Sequence, residues 1–537
     1  MPRPRKRKTQ SAVAFDSTKG ISISDILANQ SQISPRPDVS HQVEQNGTSK
    51  EHIAYKPGTT YAGGQSLACA FKQSVDLDPS VVQLLHGIDC NCVQRSFVIF
   101  RQMMPFFPFV TLRPDSEPSN MISSRPMTTM AICVVTLPAN KELQDRLCKA
   151  FRQALASKVI VGAERSLDLM VGLLIWIAWH HQYMYKQQIY QELCLLAGMA
   201  ADMGLYNGAS MTMDADEAVE RNRAFVGCYY LCCNLSMVAF NKPSPMRWTD
   251  ELHRLAEELA LAARIPQDTA LIGTLELVHA MQDLEDDFRA QKVFKRSTGA
   301  HYIELLVKTG HQHLKTLRRE HPTLAGTLGF AAATIHLHHR FLKCSESPDS
   351  ATLIQCTCAI KDYLDDVLAR PPITLHRVNI IEWTNVLEIL ILMARVSKPL
   401  PQAAGWEAGA VSSMLQPEVL LETVCTHMGS VPPNDLLAPR IECTYEWFTR
   451  VCTGIKKRIL QERGIGGASG LRNDDANFDQ LGSLGSFRPV NDANAFPSQH
   501  SKMMEPETPT MPACDLDSID FFGAGVLDDD FWDSFMW

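Results

Sequence analysis

Residues 164–205 read ERSLDLMVGLLIWIAWHHQYMYKQQIYQELCLLAGMAADMGL, and this stretch decides the fold. In its first half Leu167, Met170, Leu174 and Ile177 recur at three- and four-residue steps, the spacing of one helix face. In its second half Ile189, Leu193, Leu196, Met199 and Met203 do the same, and Gly204 follows where a helix end favours glycine. The most apolar run, LMVGLLIWIAW at 169–179, has 11 residues. A membrane span needs about 20, so a buried core helix is expected and no membrane partner.

The helical pattern extends in both directions. RPMTTMAICVVTLP (125–138) is apolar almost throughout, and in KELQDRLCKAFRQALASKVIVG (141–162) Leu143, Leu147, Phe151 and Leu155 recur at four-residue steps. EAVERNRAFVGCYYLCCNLSMVAF (217–240) is helical until the prolines of NKPSPMRW. Further helices are expected at 250–264, 268–290, 299–320, 323–343, 351–369, 376–396, 416–428 and 435–462. Order is expected to begin near DLDPSVVQLLHGI (76–88), followed by the proline-punctuated RQMMPFFPFVTLRPDSEP (101–118). No stretch alternates convincingly enough to build a sheet, and no fixed-period repeat is present. The fold class is therefore all-α, with a helical body at 66–463.

The flanks differ in composition. Residues 1–65 are rich in Ser, Gln, Pro and Lys and hold too little apolar surface to order themselves, so disorder is expected. Residues 464–512 carry GIGGASG, GSLGSF and PETPTMP, the make-up of a flexible linker. Charge is asymmetric. The chain has 51 Lys+Arg against 59 Asp+Glu, and nine of those acids follow Lys502, the last basic residue. A basic head, PRPRKRK at 2–8, and an acidic tail thus bracket a near-neutral body. The apolar h-region of a signal peptide does not follow the basic head.

Catalytic signatures are missing. No GxGxxG or GxxxxGK[ST] loop and no GxSxG elbow occurs, so no catalytic or cofactor-binding residues are expected. Histidines gather at His180/His181, His311/His313 and His336/His338/His339, and i, i+2 or i, i+3 pairs on a helix can supply two metal ligands. Without a visible third ligand they read as surface or half-buried helical histidines. Cys90-x-Cys92 and Cys356-x-Cys358 lack zinc-knuckle spacing. The 16 cysteines are scattered through apolar stretches and read as reduced thiols, with Cys133, Cys194 and Cys228 as small core residues. The aromatic-rich WIAWHHQYMY either lines a pocket or is a core helix with a wet aromatic end, and the second is expected.

Several separated phrases carry a resemblance. SLDLMVGLLIWIAW (166–179), MAADMGL (199–205), ERNRAFVGCYYLCCNLSMVAFNKPSPMRW (220–248) and FRQMMPFFPFV (100–110) stand in order. They resemble the middle homology region of fungal transcription factors of the binuclear zinc cluster type, densely over about 95–250 and more loosely to about 460. The resemblance implies a nuclear regulator of RNA polymerase II genes, often tied to pathway gene clusters such as secondary metabolism. It implies an all-α regulatory scaffold rather than an enzyme, one that holds an activation tail in check or senses a small molecule. In that family DNA is read by six cysteines, roughly C-x2-C-x6-C and C-x2-C-x6-8-C, holding two zinc ions. Here no Cys-x2-Cys occurs anywhere. Zinc and direct DNA contact are therefore expected only with a cluster upstream of this chain. A missed upstream exon, a true variant acting through a partner, and a weakly binding basic arm all stay open.

The tail DLDSIDFFGAGVLDDDFWDSFMW (515–537) sets acids among Phe521, Phe522, Phe531, Trp532, Phe535 and Trp537. Like charges keep the aromatics apart and exposed, ready to dock in shallow apolar grooves of coactivators. An activation segment at 513–537 is expected. In PRPRKRK the side chains Arg3, Arg5, Lys6, Arg7 and Lys8 neutralise few phosphates and read no bases. They are expected to engage an import receptor and place the protein in the nucleus. In the family a basic linker follows the zinc cluster, and PRPRKRK looks like that linker with its zinc module missing. Dimerisation with a like chain or a related regulator is the remaining partner expectation.

Overall fold

The computed structural model describes residues 66–71, Val82, Leu85 and 88–462, apart from short stretches at 137–140, 180–185, 208–213, 241, 295–298, 346–347, 401–402, 404 and 432–440. The expected basic head, linker and acidic tail lie outside the described residues. Within the described residues every regular element is a helix, so the all-α class holds. The long helices are α1 (Cys90–Met103), α2 (Pro126–Thr136), α3 (Lys141–Leu155), α4 (Leu167–Trp179), α5 (Lys186–Asp202), α6 (Ala215–Asn234) and α7 (Asp250–Ala262). After them come α8 (Leu271–Phe294), α9 (Gly299–Glu320), α10 (Leu328–Cys344), α11 (Ser350–Ala369), α12 (Ile380–Val396), α13 (Pro417–Gly429) and α14 (Ile441–Glu462). No described helix is long and apolar enough to cross a membrane.

The stretch at 164–205 forms the centre. Every residue of α4 except Asp168 is buried, and α4 lies against α2, itself buried along almost its whole length. The two helices approach closely because Gly172 has no side chain: a Cβ there would stand 3.1 Å from the Met127 backbone. Asp168 also has a structural task. Its carboxylate accepts hydrogen bonds from the Met127 and Thr128 amides at 3.0 and 2.8 Å, satisfying orphan donors at the start of α2. One continuous apolar core runs from Leu67 to Ile459 among the described residues.

Some boundaries differ from those expected on spacing alone. The stretch 376–396 is two helices, Ile373–Arg377 and α12, because Asn379 caps α12: its Oδ1 accepts from the amides of Ile381 (2.7 Å) and Glu382 (3.3 Å). The helix over 141–162 relaxes into a π-helical turn at Ala156–Val161, and α6 does the same at Leu235–Ala239. Helix α1 was not expected from the sequence. It is capped by Asp89, whose Oδ1 accepts from the Cys92 amide at 2.8 Å, and it buries Val93, Phe97 and Phe100 on one stripe.

Candidate functional site

The phrases at 100–110, 166–179 and 220–248 meet in space. Phe107 and Phe109 lie edge to face at 5.1 Å. Phe107 stands 5.7 Å from Trp179 of α4, and Phe109 stands 4.7 Å from Tyr230 of α6. Gly227 lets the Phe109 segment lie against α6, since a Cβ there would come within 2.4 Å of the Phe109 Cβ. Arg223 locks the same junction. Its guanidinium makes a two-pronged ion pair with Asp268 at 2.5 and 2.9 Å and donates to the Pro108 carbonyl at 2.9 Å. Both side chains are buried, and Asp268 also accepts from the Ile265 amide at 3.1 Å.

Next to this junction the packing opens into a cavity of about 350 Å³. That lies within the usual range for small-molecule pockets, roughly 300–1,000 Å³. Its walls come from distant parts of the chain: residues 105–109, the end of α6 with its π turn, α8, α10 and the start of α12. Asn379 bolts two of these walls together, its amide donating to the Phe106 carbonyl at 2.5 Å. Most of the lining is apolar, with charged or titratable groups from Arg370, Glu382 and His336 and neutral polar groups from Asn234, Gln267, Asn385 and three threonines. Glu382 is pushed up to about 7 by burial, which the Arg370 charge only partly offsets. The Trp176 and Trp179 rings of WIAW are core side chains, as expected, and do not line this cavity.

His336 joins the cavity to a buried ionic cluster. Its Nδ1 lies 2.8 Å from Glu388 Oε1 and its Nε2 lies 3.0 Å from Glu285 Oε1. His339 Nδ1 reaches the same Glu388 oxygen at 2.6 Å, and Arg340 pairs with Glu285 at 2.7 Å. Burial alone would lower the His336 pKa, but the two carboxylates outweigh it and raise it to about 9. His336 is thus an imidazolium donating from both nitrogens. For His339 burial wins over Glu388, and it falls to about 4, a neutral ring. Burial would raise Glu388, yet His336 and His339 hold it well below the usual carboxylate range.

Two expectations from the sequence need correcting here. His336, His338 and His339 are buried, not surface or half-buried, because α10 sits between α9, α11 and α12. His311 and His313 do lie at intermediate and exposed positions, while His180 and His181 fall outside the described residues. Cys133 and Cys228 are core residues as expected, but Cys194 is exposed: it follows the buried Leu193 and points off the α5 stripe. His336, His339 and Glu388 bring ligand atoms within 4.8 Å of one another, but both His336 nitrogens are already engaged by Glu388 and Glu285.

The expected import residues Arg3, Arg5, Lys6, Arg7 and Lys8 and the expected activation residues Phe521, Phe522, Phe531, Trp532, Phe535 and Trp537 lie outside the described residues. The functional groups that sequence reasoning missed are Arg370, Glu382, Glu285 and Glu388. A signal was present for two of them: Glu382 and Glu388 are acids inside IIEWTNVLEILILM (380–393), an otherwise apolar helix.

The chain is 20% identical over 380 residues to the transcription factor opdL of Penicillium oxalicum, across 64% of this chain and 66% of opdL. The chain is similar to fungal transcription factors. It is 24% identical over 191 residues to the transcription factor himD of Aspergillus japonicus, covering 33% of this chain and 32% of himD. It is 24% identical over 249 residues to the transcription factor pbcR of Emericella nidulans, covering 40% and 33%. The matches thus span just under two thirds of opdL and about a third of the other two. No family model matches the chain, and no solved structure matches it.

Proposed function

We propose that the protein is a nuclear, pathway-specific regulator of RNA polymerase II genes whose helical body receives a small molecule in its central cavity. The observation that carries this reading is the cavity itself, set within a helical body that is similar to fungal transcription factors. In this reading the body is a regulatory scaffold without catalytic turnover. PRPRKRK engages an import receptor, and the acidic-aromatic tail engages coactivators. Two experiments test it. Residues 503–537 fused to an unrelated DNA-binding domain should drive a reporter, and replacing Phe531, Trp532 and Phe535 with Ala should silence it; activity that survives the replacement defeats the activator assignment. Changing Arg5, Lys6, Arg7 and Lys8 to Ala should move the protein out of the nucleus, and unchanged nuclear staining defeats the import assignment.

The six-cysteine array occurs nowhere in these 537 residues. In a second reading the chain is a co-regulator or brake that dimerises through the helical body with a zinc cluster regulator. Co-purification with such a regulator favours this reading, and monomeric behaviour in extracts counts against it.

A further inference from the structure

Buried polar atoms nearly always find a hydrogen-bond partner, and each orphan costs about 1–3 kcal/mol. Two such orphans belong to residues that line the cavity, and a third belongs to a residue near them. Glu382 Oε2 and Arg370 Nε are sealed from solvent with no hydrogen-bond partner, and so is the hydroxyl of Tyr363. Glu382 and Arg370 both line the cavity. Tyr363 is not a lining residue, but its hydroxyl feels the charges of both. The three come from two segments, the last turns of α11 with its cap residue and the first turn of α12.

Most of the remaining lining is different in kind. Phe106, Phe109, Met237, Val278, Met281 and Leu328 supply apolar surface there. Met237 and Val238 reach the lining from the π-helical turn Leu235–Ala239. Such turns are rare and occur often at functional sites. Thioether side chains also fit irregular occupants easily.

We infer that the cavity takes an uncharged, largely apolar molecule with one polar head that both donates and accepts, a carboxamide or lactam head whose N–H meets Glu382 and whose carbonyl meets Arg370. A carboxylate head would face the Glu382 carboxylate, and an ammonium head would face the Arg370 guanidinium. A wholly apolar occupant would leave both orphans unpaired, and rejection of analogues that leave a site's polar groups unpaired is strong. The inference rests on the proposed ligand-receiving role of the body and specifies its chemistry.

The test uses the purified full chain and three probes of one shape, 4-phenylbutanamide, 4-phenylbutyrate and 4-phenylbutylamine, titrated calorimetrically at about pH 8.5, where Glu382, pushed up to about 7, is a carboxylate and the amine is still an ammonium. The amide should bind at least tenfold more tightly than either charged probe. Glu382→Gln, which supplies a donor in place of the carboxylate, should narrow the gap between amide and butyrate to under threefold. Ala333→Phe should block the cavity and abolish binding of all three; if that variant fails to fold, as circular dichroism will tell, Ala332→Phe serves instead. Equal or tighter binding of a charged probe overturns the head-group inference while leaving the cavity reading intact. No binding by any probe, or binding that survives the blocked cavity, overturns both.

Discussion

Replacing Glu388 with Gln keeps the side chain's shape and removes the charge that His336 and His339 share. Raising the His336 pKa from 6.5 to about 9 corresponds to a preference of about 3 kcal/mol for the protonated ring in the folded chain. Removing one partner of a buried ion pair typically costs about 3–5 kcal/mol. For a helical body of about 400 residues, an unfolding entropy of about 0.8 kcal/mol per degree converts this into a melting temperature lower by about 4–6 °C. The pH dependence is the sharper test. His336 is raised above its unfolded value, so its stabilisation is complete below pH 6.5 and lost as pH rises through about 9. The deficit of Glu388→Gln relative to the parent should therefore be full at pH 6 and shrink between about pH 7 and 10. Circular dichroism melts of both proteins across that range measure it. A deficit that is absent at pH 6, or that grows with pH, refutes the imidazolium assignment.

Other substitutions probe other parts. Asp268→Asn leaves the buried Arg223 guanidinium without its counter-charge and should cost about 3–5 kcal/mol in a urea titration. Gly227→Ala forces its Cβ into Phe109 and should destabilise by about 1–3 kcal/mol, whereas Gly198→Ala, on α5 with nothing within 4 Å, should stabilise by about 0.5–1 kcal/mol. Glu382 is an acid raised by burial, so the folded chain favours its proton, and that contribution is present below pH 4.5 and lost as pH rises through about 7. Glu382→Gln should therefore melt higher than the parent at pH 8 and by a smaller margin at pH 5.

The helices of the body were legible because their apolar residues repeat at helical spacing, as Leu147, Phe151 and Leu155 do on α3 and Ile189, Leu193 and Leu196 on α5. Their boundaries were less so, because caps such as Asn379 act through side-chain geometry that spacing does not reveal. The site was largely hidden. Its walls are drawn from residues 105 to 385, and nothing in a one-dimensional pattern says that Phe109, Met237 and Glu382 will face one space. The histidines were visible as a cluster, but their acids sit about 50 positions away on either side, at Glu285 and Glu388. Periodicity reports which face of a helix is buried, not the partner it is buried against.

The π turn at Leu235–Ala239 makes one cavity wall sensitive to residue count as well as residue chemistry, because a π turn is an α-helix that has absorbed one residue. Deleting Val238 would let the turn rewind as α-helix while the chain after it keeps nearly its facing, because the wide turn is what takes up the surplus residue. The wall would then lose the local swelling that brings Met237 and Val238 to the lining, although no other side chain had been altered. A length change of one, tolerated in most surface loops, is here a change of cavity shape.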